Sequence, residues 1–165
     1  MHFPVMIISE NPLDDLFDVL DVIGPYTENP DDPYNVEDHD HRFDCLGCGG
    51  LYDWMLNGES CCTLEDFPMI RPEDTDEDLK RKCPRLWEAW TKNPQGETLR
   101  ECFWNHFCFC LVLPDGTWLE PGSRYAWWLG TFAEHEKDID WVVEFGKILD
   151  SYPRDWYVNL IDCHI

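Results

Sequence analysis

The last quarter of the chain, residues 106–165, constrains the possible folds most strongly. It begins with an apolar run whose length and aromatic and β-branched content are typical of a buried strand. Asp115-Gly116 follows shortly afterwards and is the strongest short hairpin signal in the sequence. Apolar residues then recur at helical spacing and are followed by a final apolar run. The segment therefore predicts strands at 106–113 and 117–120, a helix at 139–152 and a strand at 156–165.

The N-terminal residues add one strand and one helix to this plan. Phe3–Ser9 is a short apolar run, and Asn11 is placed to cap a helix from Pro12 to Ile23. The order βα, insertion, ββαβ predicts an α+β fold with a ferredoxin-like (split βαβ) antiparallel sheet backed by two helices. The apolar stripe of the first helix is predicted at Leu13, Leu16, Phe17, Leu20 and Ile23.

The residues between the first helix and the hairpin, 27–105, are predicted to form one large insertion within a single domain, 1–165. The start of the insertion is acidic and proline-rich. Helical spacing occurs on both sides of Pro84, which predicts one short helix before it and another after it. A loop of this length without structure is unusual in a folded domain, so short helices and a metal are expected within it.

Charge is the most unusual property of the composition, with 34 acidic residues against 12 basic ones and a net charge of −22. Such a surface repels free nucleic acid and anionic membranes, so neither is an expected partner. It attracts a cation, a basic protein surface or a protein that normally grips DNA. The simpler interpretation is that the excess carboxylates keep a tryptophan-rich chain soluble.

The apolar runs and the cysteines predict a cytoplasmic protein. No run approaches the length of a membrane span, and the first residues lack the basic region of a signal peptide. The nine cysteines are an odd number, which argues against a disulfide framework. Cys108, Cys110 and Cys163 lie in predicted strands and are expected to be small buried residues.

The sharpest chemical feature is Cys45-x-x-Cys48, followed by two glycines that let the backbone fold back toward a metal. Two thiolates on a tight turn form half of a tetrahedral zinc site, and we predict one closed, structural Zn²⁺ here. The alternative is a turn with two unligated thiols in a reducing compartment. The remaining ligands are predicted among the residues nearby: His39, His41, Cys61 and Cys62.

Two aromatic segments are candidates for binding a partner or a ligand. The first contains Tyr52, Asp53 and Trp54, which place two aromatic rings around a carboxylate. The second contains the adjacent residues Trp127 and Trp128, of which one should face outward or into a groove. The alternative for both segments is ordinary packing in the core.

Asp162 and His164 lie two residues apart in the last predicted strand and therefore share a face. They are candidates for binding a cation or a polar ligand; the alternative is that they are solvated residues at a chain end. Cys163 points to the other face, so it does not form a nucleophile–base pair with His164. The sequence contains no nucleophile elbow, phosphate loop, HExxH or dinucleotide fingerprint, and no catalytic residue is predicted.

Five segments stand out together: Met1-His-Phe3, the central motif Tyr52-Asp-Trp54 with Asn57-Gly58, Leu113-Pro-Asp-Gly-Thr-Trp118, Trp127-Trp128 and Val158-Asn-Leu-Ile-Asp-Cys-His-Ile165. They resemble small proteins of actinobacterial phages and related mobile elements. Some members of that family carry a Cys-x-x-Cys-Gly-Gly turn before the central motif, as this chain does. The central motif usually continues into Gly-Gly-Arg-Trp; here it reads Asn57-Gly-Glu-Ser60, so a site built on that arginine would be absent or altered. The resemblance implies a phage context and no particular reaction.

Together, these features predict a non-enzymatic, phage-type accessory protein that binds and inhibits a basic or nucleic-acid-binding host protein. The acidic runs 31–44 and 73–78 would occupy the partner's groove in place of phosphates, provided that their carboxylates are held in a fixed pattern. The alternative is a small-molecule (nucleotide-like) binding protein or enzyme with a cleft near Trp54, Trp127 and His164. The acidic field argues against anionic nucleotides in that cleft unless basic residues such as Arg124 intervene.

Overall fold

In the computed structural model the chain has a mixed α+β fold with a six-stranded, mostly antiparallel sheet. The structure describes residues 2–28, 31, 33–36, 41–46, 59–92, 110–120 and 135–164. Within these ranges, no helix is both long and apolar enough to cross a membrane. The strands are β1 (His2–Ser9), β2 (Cys45–Leu46), β3 (Cys61–Thr63), β4 (Cys110–Val112), β5 (Trp118–Leu119) and β6 (Tyr157–His164). The α-helices are α1 (Leu16–Ile23), α2 (Asp76–Lys82), α3 (Pro84–Lys92) and α4 (His135–Asp150).

The two longest strands, β1 and β6, form the centre of the sheet. They pair antiparallel along their whole length, from His2 opposite His164 to Ser9 opposite Tyr157. On its other side β1 pairs in parallel with β4, and β5 pairs antiparallel with β4 at the edge. The other side of β6 pairs with both β2 and β3, one after the other along its length.

The predicted α+β class is confirmed, whereas the split βαβ order is not. A split βαβ unit has a further strand between its two parallel strands, but here β1 and β4 are direct neighbours. Both strands are apolar runs with buried residues on both faces, which is typical of central strands that have a parallel neighbour. The short β5 therefore lies at the edge of the sheet.

The hairpin predicted at Asp115-Gly116 joins β4 to β5. Gly116 N–H donates to the Leu113 carbonyl at 2.8 Å, and Leu113 N–H donates to the Thr117 carbonyl at 2.9 Å. Gly116 has a φ of 84°, in the left-handed region that glycine adopts without strain. The turn residues therefore determine the register in which Val112 lies opposite Trp118.

Buried side chains lie on both faces of the sheet, because successive residues of a strand point to opposite sides. On one face, Met6 packs in a cluster that includes Phe145 and Leu149 of α4. On the other face, Ile7 packs in a cluster that includes Ile23 of α1. The helices α1 and α4 thus cover opposite faces, whereas both helices of a ferredoxin-like fold cover the same face.

Part of the predicted insertion, 27–105, belongs to the sheet and to both cores. β2 and β3 lie within it and pair with β6. Phe43 is buried in the cluster on the α1 side, and Leu64 is buried in the cluster on the α4 side. These residues are therefore integral to the fold.

The first helix begins later than predicted, at Leu16, and its cap is Asp15, not Asn11. The Asp15 carboxylate accepts a hydrogen bond from Asp18 N–H at 3.0 Å. Before the helix, Leu13 N–H donates to Asn159 Oδ1 at 2.9 Å. This contact with β6 holds the chain against the sheet, so that helical hydrogen bonding starts only after it.

Pro84 separates α2 from α3, as predicted, and is the first residue of α3. The segment before α2 is fixed by the buried carboxylate of Asp74. Lys82 Nζ lies 2.6 and 2.8 Å from the two Asp74 oxygens and donates to the Met69 carbonyl at 2.7 Å. Arg71 N–H also donates to Asp74, at 2.8 Å. This ion pair ties the last turn of α2 to the loop that packs beneath α4.

Replacing Gly24 by alanine is expected to lower the free energy of unfolding by about 1–3 kcal/mol, the usual cost of overpacking. A Cβ at Gly24 would lie 2.5 Å from Tyr34 Cβ and 2.9 Å from Tyr34 Cγ. These atoms are close to the backbone, so the segment around Tyr34 has to move. Urea denaturation monitored by circular dichroism measures the change.

The matched control is Gly146→Ala, in the interior of α4. The nearest atom to a Cβ there is Arg71 Nη1 at 3.2 Å, the end of a flexible side chain. Alanine is favoured over glycine in a helix by about 1 kcal/mol, so this variant should be unchanged or more stable. Equal losses of stability in the two variants would contradict the close approach of Tyr34 to Gly24.

Candidate functional site

The pairing of β2 with β6 brings together three side chains that are able to bind a metal. Cys45 lies opposite His164, and Asp44 N–H donates to the His164 carbonyl at 2.8 Å. One ligand atom from each of Asp44, Cys45 and His164 lies within 4.8 Å of the other two. We call this group the Asp44–Cys45–His164 cluster. It joins a predicted metal ligand, Cys45, to a residue predicted to bind a partner or ligand, His164.

The Asp44 carboxylate is the common acceptor of the cluster. It lies 3.0 Å from His164 Nδ1, and a carboxylate only accepts, so Nδ1 carries the proton. This hydrogen bond lowers the pKa of Asp44, and a further bond from the Cys45 thiol acts in the same direction. The same contact raises the pKa of Cys45, because loss of its proton would place a thiolate against a carboxylate. The thiol of Cys45 is therefore held in its protonated form.

His41 lies apart from this cluster. Its Nε2 atom is 3.2 Å from the Val36 carbonyl oxygen and 3.5 Å from Asn35 Nδ2. His41 is thus in contact with the 33–36 segment, and its pairing with Cys45 on one ion stays a prediction.

Cys61 and Cys62 lie too far along the sheet to share an ion with Cys45. Cys61 is opposite Asn159, whereas Cys45 is opposite His164, five residues further along β6. At about 3.3 Å per residue this separates the two positions by roughly 16 Å. Two thiolates on one zinc lie within about 5 Å, since each Zn–S bond is ~2.3 Å long. The alternative ligands Cys61 and Cys62 are therefore wrong for a site that contains Cys45.

The side chain of Cys62 is partly buried and packs against the core cluster on the α4 side of the sheet. Burial raises the pKa of Cys62 to about 12, so it is protonated at neutral pH. Cys110 and Cys163 are buried as well, as the sequence predicts, and desolvation raises the pKa of Cys163 well above its ordinary value. These cysteines contribute to packing.

Asp162 is a buried residue of β6 opposite Pro4, two residues before His164 and on the same face. Its charge adds to the rise in the pKa of Cys45. Several other predicted site residues lie outside the described residues, and their roles stay predictions: His39, Cys48, Tyr52, Asp53, Trp54, Trp127 and Trp128.

A second candidate site lies on the exposed side of α1. The predicted apolar stripe is wrong at two positions, because Phe17 is 68% exposed and Leu16 is 57% exposed. The residues of α1 that are buried are Val19 and Ile23. We use "α1 face" for the exposed residues Asp14, Leu16, Phe17, Asp18 and Asp21.

Two carboxylates at the start of α1, those of Asp15 and Asp18, accept hydrogen bonds from backbone N–H groups. Asp18 N–H donates to Asp15 at 3.0 Å, and Asp14 N–H donates to Asp18 at 3.3 Å. The sequence signal for this face is the position of Asp21, which follows Phe17 by four residues and Asp18 by three. That spacing predicts one helical face on which an aromatic ring is surrounded by carboxylates.

The acidic run 73–78 is less available to a partner than the sequence predicts. Asp74 is buried against Lys82, and Asp78 accepts hydrogen bonds from Thr75 in a capping box. These two carboxylates stabilise the chain itself. Glu73, Asp76 and Glu77 are exposed.

No family model, curated protein or solved structure matches this chain.

Proposed function

We propose that this chain is a non-enzymatic, phage-type accessory protein that binds a basic, nucleic-acid-binding host protein through its α1 face and blocks it. The observation that carries the proposal is the exposure of Phe17, at 68%, among the carboxylates of Asp14, Asp18 and Asp21. An exposed aromatic ring surrounded by a single sign of charge is suited to a partner with an apolar pocket in a basic surface.

Electrostatics at the α1 face favour a cationic partner. No lysine or arginine occurs in the sequence before Arg42, so the aspartates and glutamates of α1 and of the residues leading into it have no lysine or arginine among them. A field of one sign raises the association rate of an oppositely charged partner and suppresses binding to anionic surfaces.

Mimicry of nucleic acid requires carboxylates that are held in a fixed pattern. Asp18 and Asp21 lie on α1, three residues and therefore roughly 4.5 Å apart along the helix axis. One strand of DNA carries one phosphate per ~3.4 Å of helix axis. The carboxylates of Asp15 and Asp18 accept hydrogen bonds from backbone N–H groups, which supports this part of the proposal.

The alternative, a small-molecule binder or enzyme with a tryptophan-lined cleft, stays a prediction because Trp54 and Trp127 lie outside the described residues. The closed zinc site on His39, His41, Cys45 and Cys48 stays a prediction as well, because His39 and Cys48 lie outside the described residues. The α1 face would not depend on it.

Affinity capture from a nuclease-treated actinobacterial lysate, followed by reconstitution with the purified partner, tests the proposed function. We expect one basic nucleic-acid-binding protein, and we expect the wild-type chain to displace duplex DNA from it. Phe17→Ser should weaken binding by about 30-fold or more, as expected for a buried aromatic anchor. Binding should also weaken steeply with salt, because screening shortens the range of charge attraction from about 10 Å at 0.1 M to about 3 Å at 1 M.

Two matched controls separate the α1 face from general properties of the surface. Val143→Ser removes another exposed apolar side chain, on α4 across the sheet, and should bind like the wild type. Asp14→Asn with Asp21→Asn should weaken binding, whereas Glu73→Gln with Glu77→Gln changes the net charge equally and should have a smaller effect. The proposal fails if Phe17→Ser and Val143→Ser bind alike, if both charge pairs act alike, or if the bound partner keeps its DNA.

A further inference from the structure

We infer that the Asp44–Cys45–His164 cluster is a binding site for one divalent transition-metal ion, with Zn²⁺ as its physiological occupant. The ligand atoms are an Asp44 carboxylate oxygen, Cys45 Sγ and His164 Nδ1, which all lie within 4.8 Å of one another. This site does not depend on the α1 face. It differs from the predicted Cys-x-x-Cys knuckle because its third ligand comes from the far end of the sequence.

Metal binding requires little rearrangement of the Asp44–Cys45–His164 cluster. In a tetrahedral zinc site the bonds to nitrogen and oxygen are about 2.0–2.2 Å long and the bond to sulfur about 2.3 Å, so neighbouring ligand atoms lie roughly 3.3–3.8 Å apart. His164 Nδ1 and the Asp44 oxygen are already 3.0 Å apart. The backbone positions are fixed by the β2–β6 pairing, which holds Cys45 opposite His164. The ligands therefore need only small side-chain rotations to enclose an ion.

The donor set selects the metal. One thiolate, one imidazole and one carboxylate suit zinc and cobalt, whereas Mg²⁺ and Ca²⁺ prefer oxygen ligands alone. A thiolate and a carboxylate together carry two negative charges, which a divalent ion neutralises. The cation also removes the repulsion between Cys45 and Asp44 that keeps the thiol protonated in the metal-free chain.

Metal binding exchanges protons for the ion. The Cys45 thiol releases one proton to solvent, and the His164 proton moves from Nδ1 to Nε2, so that Nδ1 offers its lone pair. The Asp44 carboxylate, which accepts hydrogen bonds from both residues in the metal-free chain, becomes a ligand. Three protein ligands leave a fourth tetrahedral position for water or a further donor.

Titration of the reduced, metal-free full chain with Co²⁺ tests this site. A bound Co²⁺ should give a thiolate-to-metal charge-transfer band in the near ultraviolet, saturating at one ion per chain and disappearing when Zn²⁺ is added. Cys45→Ser should abolish the band. His164→Gln and Asp44→Asn should weaken Co²⁺ binding beyond the roughly 10- to 100-fold that loss of an outer-shell partner costs.

Two cysteine controls distinguish this site from other thiol sites. Cys61 is opposite Asn159 of β6, five residues away from His164 along the strand. Cys61→Ser should therefore leave Co²⁺ binding unchanged. Cys48→Ser should leave the charge-transfer band in place, whereas in the predicted knuckle it would remove a ligand. If Cys48→Ser abolishes the band while His164→Gln keeps it, the cluster is not the metal site. Absence of any Co²⁺ band in the wild type overturns the inference.

Amide chemical shifts give a readout that needs no variant. Zn²⁺ should shift the signals of residues 44–46 and 163–164 and leave those of 61–63 and 157–159 in place. A shift pattern confined to the second set, or spread evenly over the acidic surface, contradicts the site. The α1 face provides an internal reference, because binding there by weak attraction alone would move the signals of residues 14–21.

Discussion

Replacing Lys82 by methionine is expected to lower the free energy of unfolding by about 3 kcal/mol, within the range for breaking a buried ion pair. Methionine keeps most of the side-chain volume but removes the ammonium group that lies 2.6 and 2.8 Å from the Asp74 oxygens. Asp74 is only 8% exposed, so its charge would stay buried without that ammonium group. The Met69 carbonyl would also lose its donor.

Urea denaturation at neutral pH, monitored by tryptophan fluorescence, measures this loss. The double variant Asp74→Asn with Lys82→Met should be more stable than Lys82→Met alone, because it removes the buried charge together with its cation. Arg81→Met is the control, since Arg81 also pairs with an aspartate, Asp78, but is 73% exposed. It should change stability little. Equal effects of Lys82→Met and Arg81→Met would show that burial of Asp74 does not matter.

Replacing Asn159 by leucine is expected to lower the free energy of unfolding by about 1–3 kcal/mol, the cost of leaving one backbone donor, the Leu13 N–H, without its acceptor. The Asn159 amide group accepts from Leu13 N–H at 2.9 Å and donates to the Ile7 carbonyl at 3.1 Å. It also donates to Ser9 Oγ at 2.7 Å. These contacts join β6, β1 and the approach to α1, so leucine would loosen all three.

The readout that separates this effect from a change in packing is amide hydrogen exchange. Leu13 N–H should exchange much faster in Asn159→Leu, while the amides of α4 should follow global unfolding. Asn11→Leu is the matched control, because Asn11 is exposed and its interaction with Ser9 uses the backbone carbonyl. Unchanged protection of Leu13 would contradict the role of Asn159.

Much of the fold follows from local sequence signals. The predicted strand at 156–165 and helix at 139–152 correspond to β6 and α4, because a long apolar run and a clear helical spacing identify each element on its own. The hairpin follows from Asp115-Gly116. The strands β2 and β3 are two and three residues long and have no comparable signal; they form because β6 offers a pairing edge.

The candidate sites likewise follow partly from local sequence signals and partly from contacts between distant segments of the chain. Cys45 is identifiable from the C-x-x-C spacing, but its neighbour His164 is 119 positions away and reaches it only through the β2–β6 register. The predicted start of α1 is wrong because Leu13 N–H bonds to the side chain of Asn159, which is near the other end of the chain. Phe17 fits an apolar stripe by spacing. Only the packing of Val19 and Ile23 against the sheet shows that Phe17 faces outward.

The two short strands β2 and β3 share one edge of β6 without depending on each other. Leu46 is opposite Cys163, and the Ser60 carbonyl accepts from Leu160 N–H at 2.8 Å, so the two anchors lie roughly 10 Å apart along the sheet. Each anchor has its own pairing with β6. We therefore expect a peptide grafted between Leu46 and Ser60 to leave both registers unchanged.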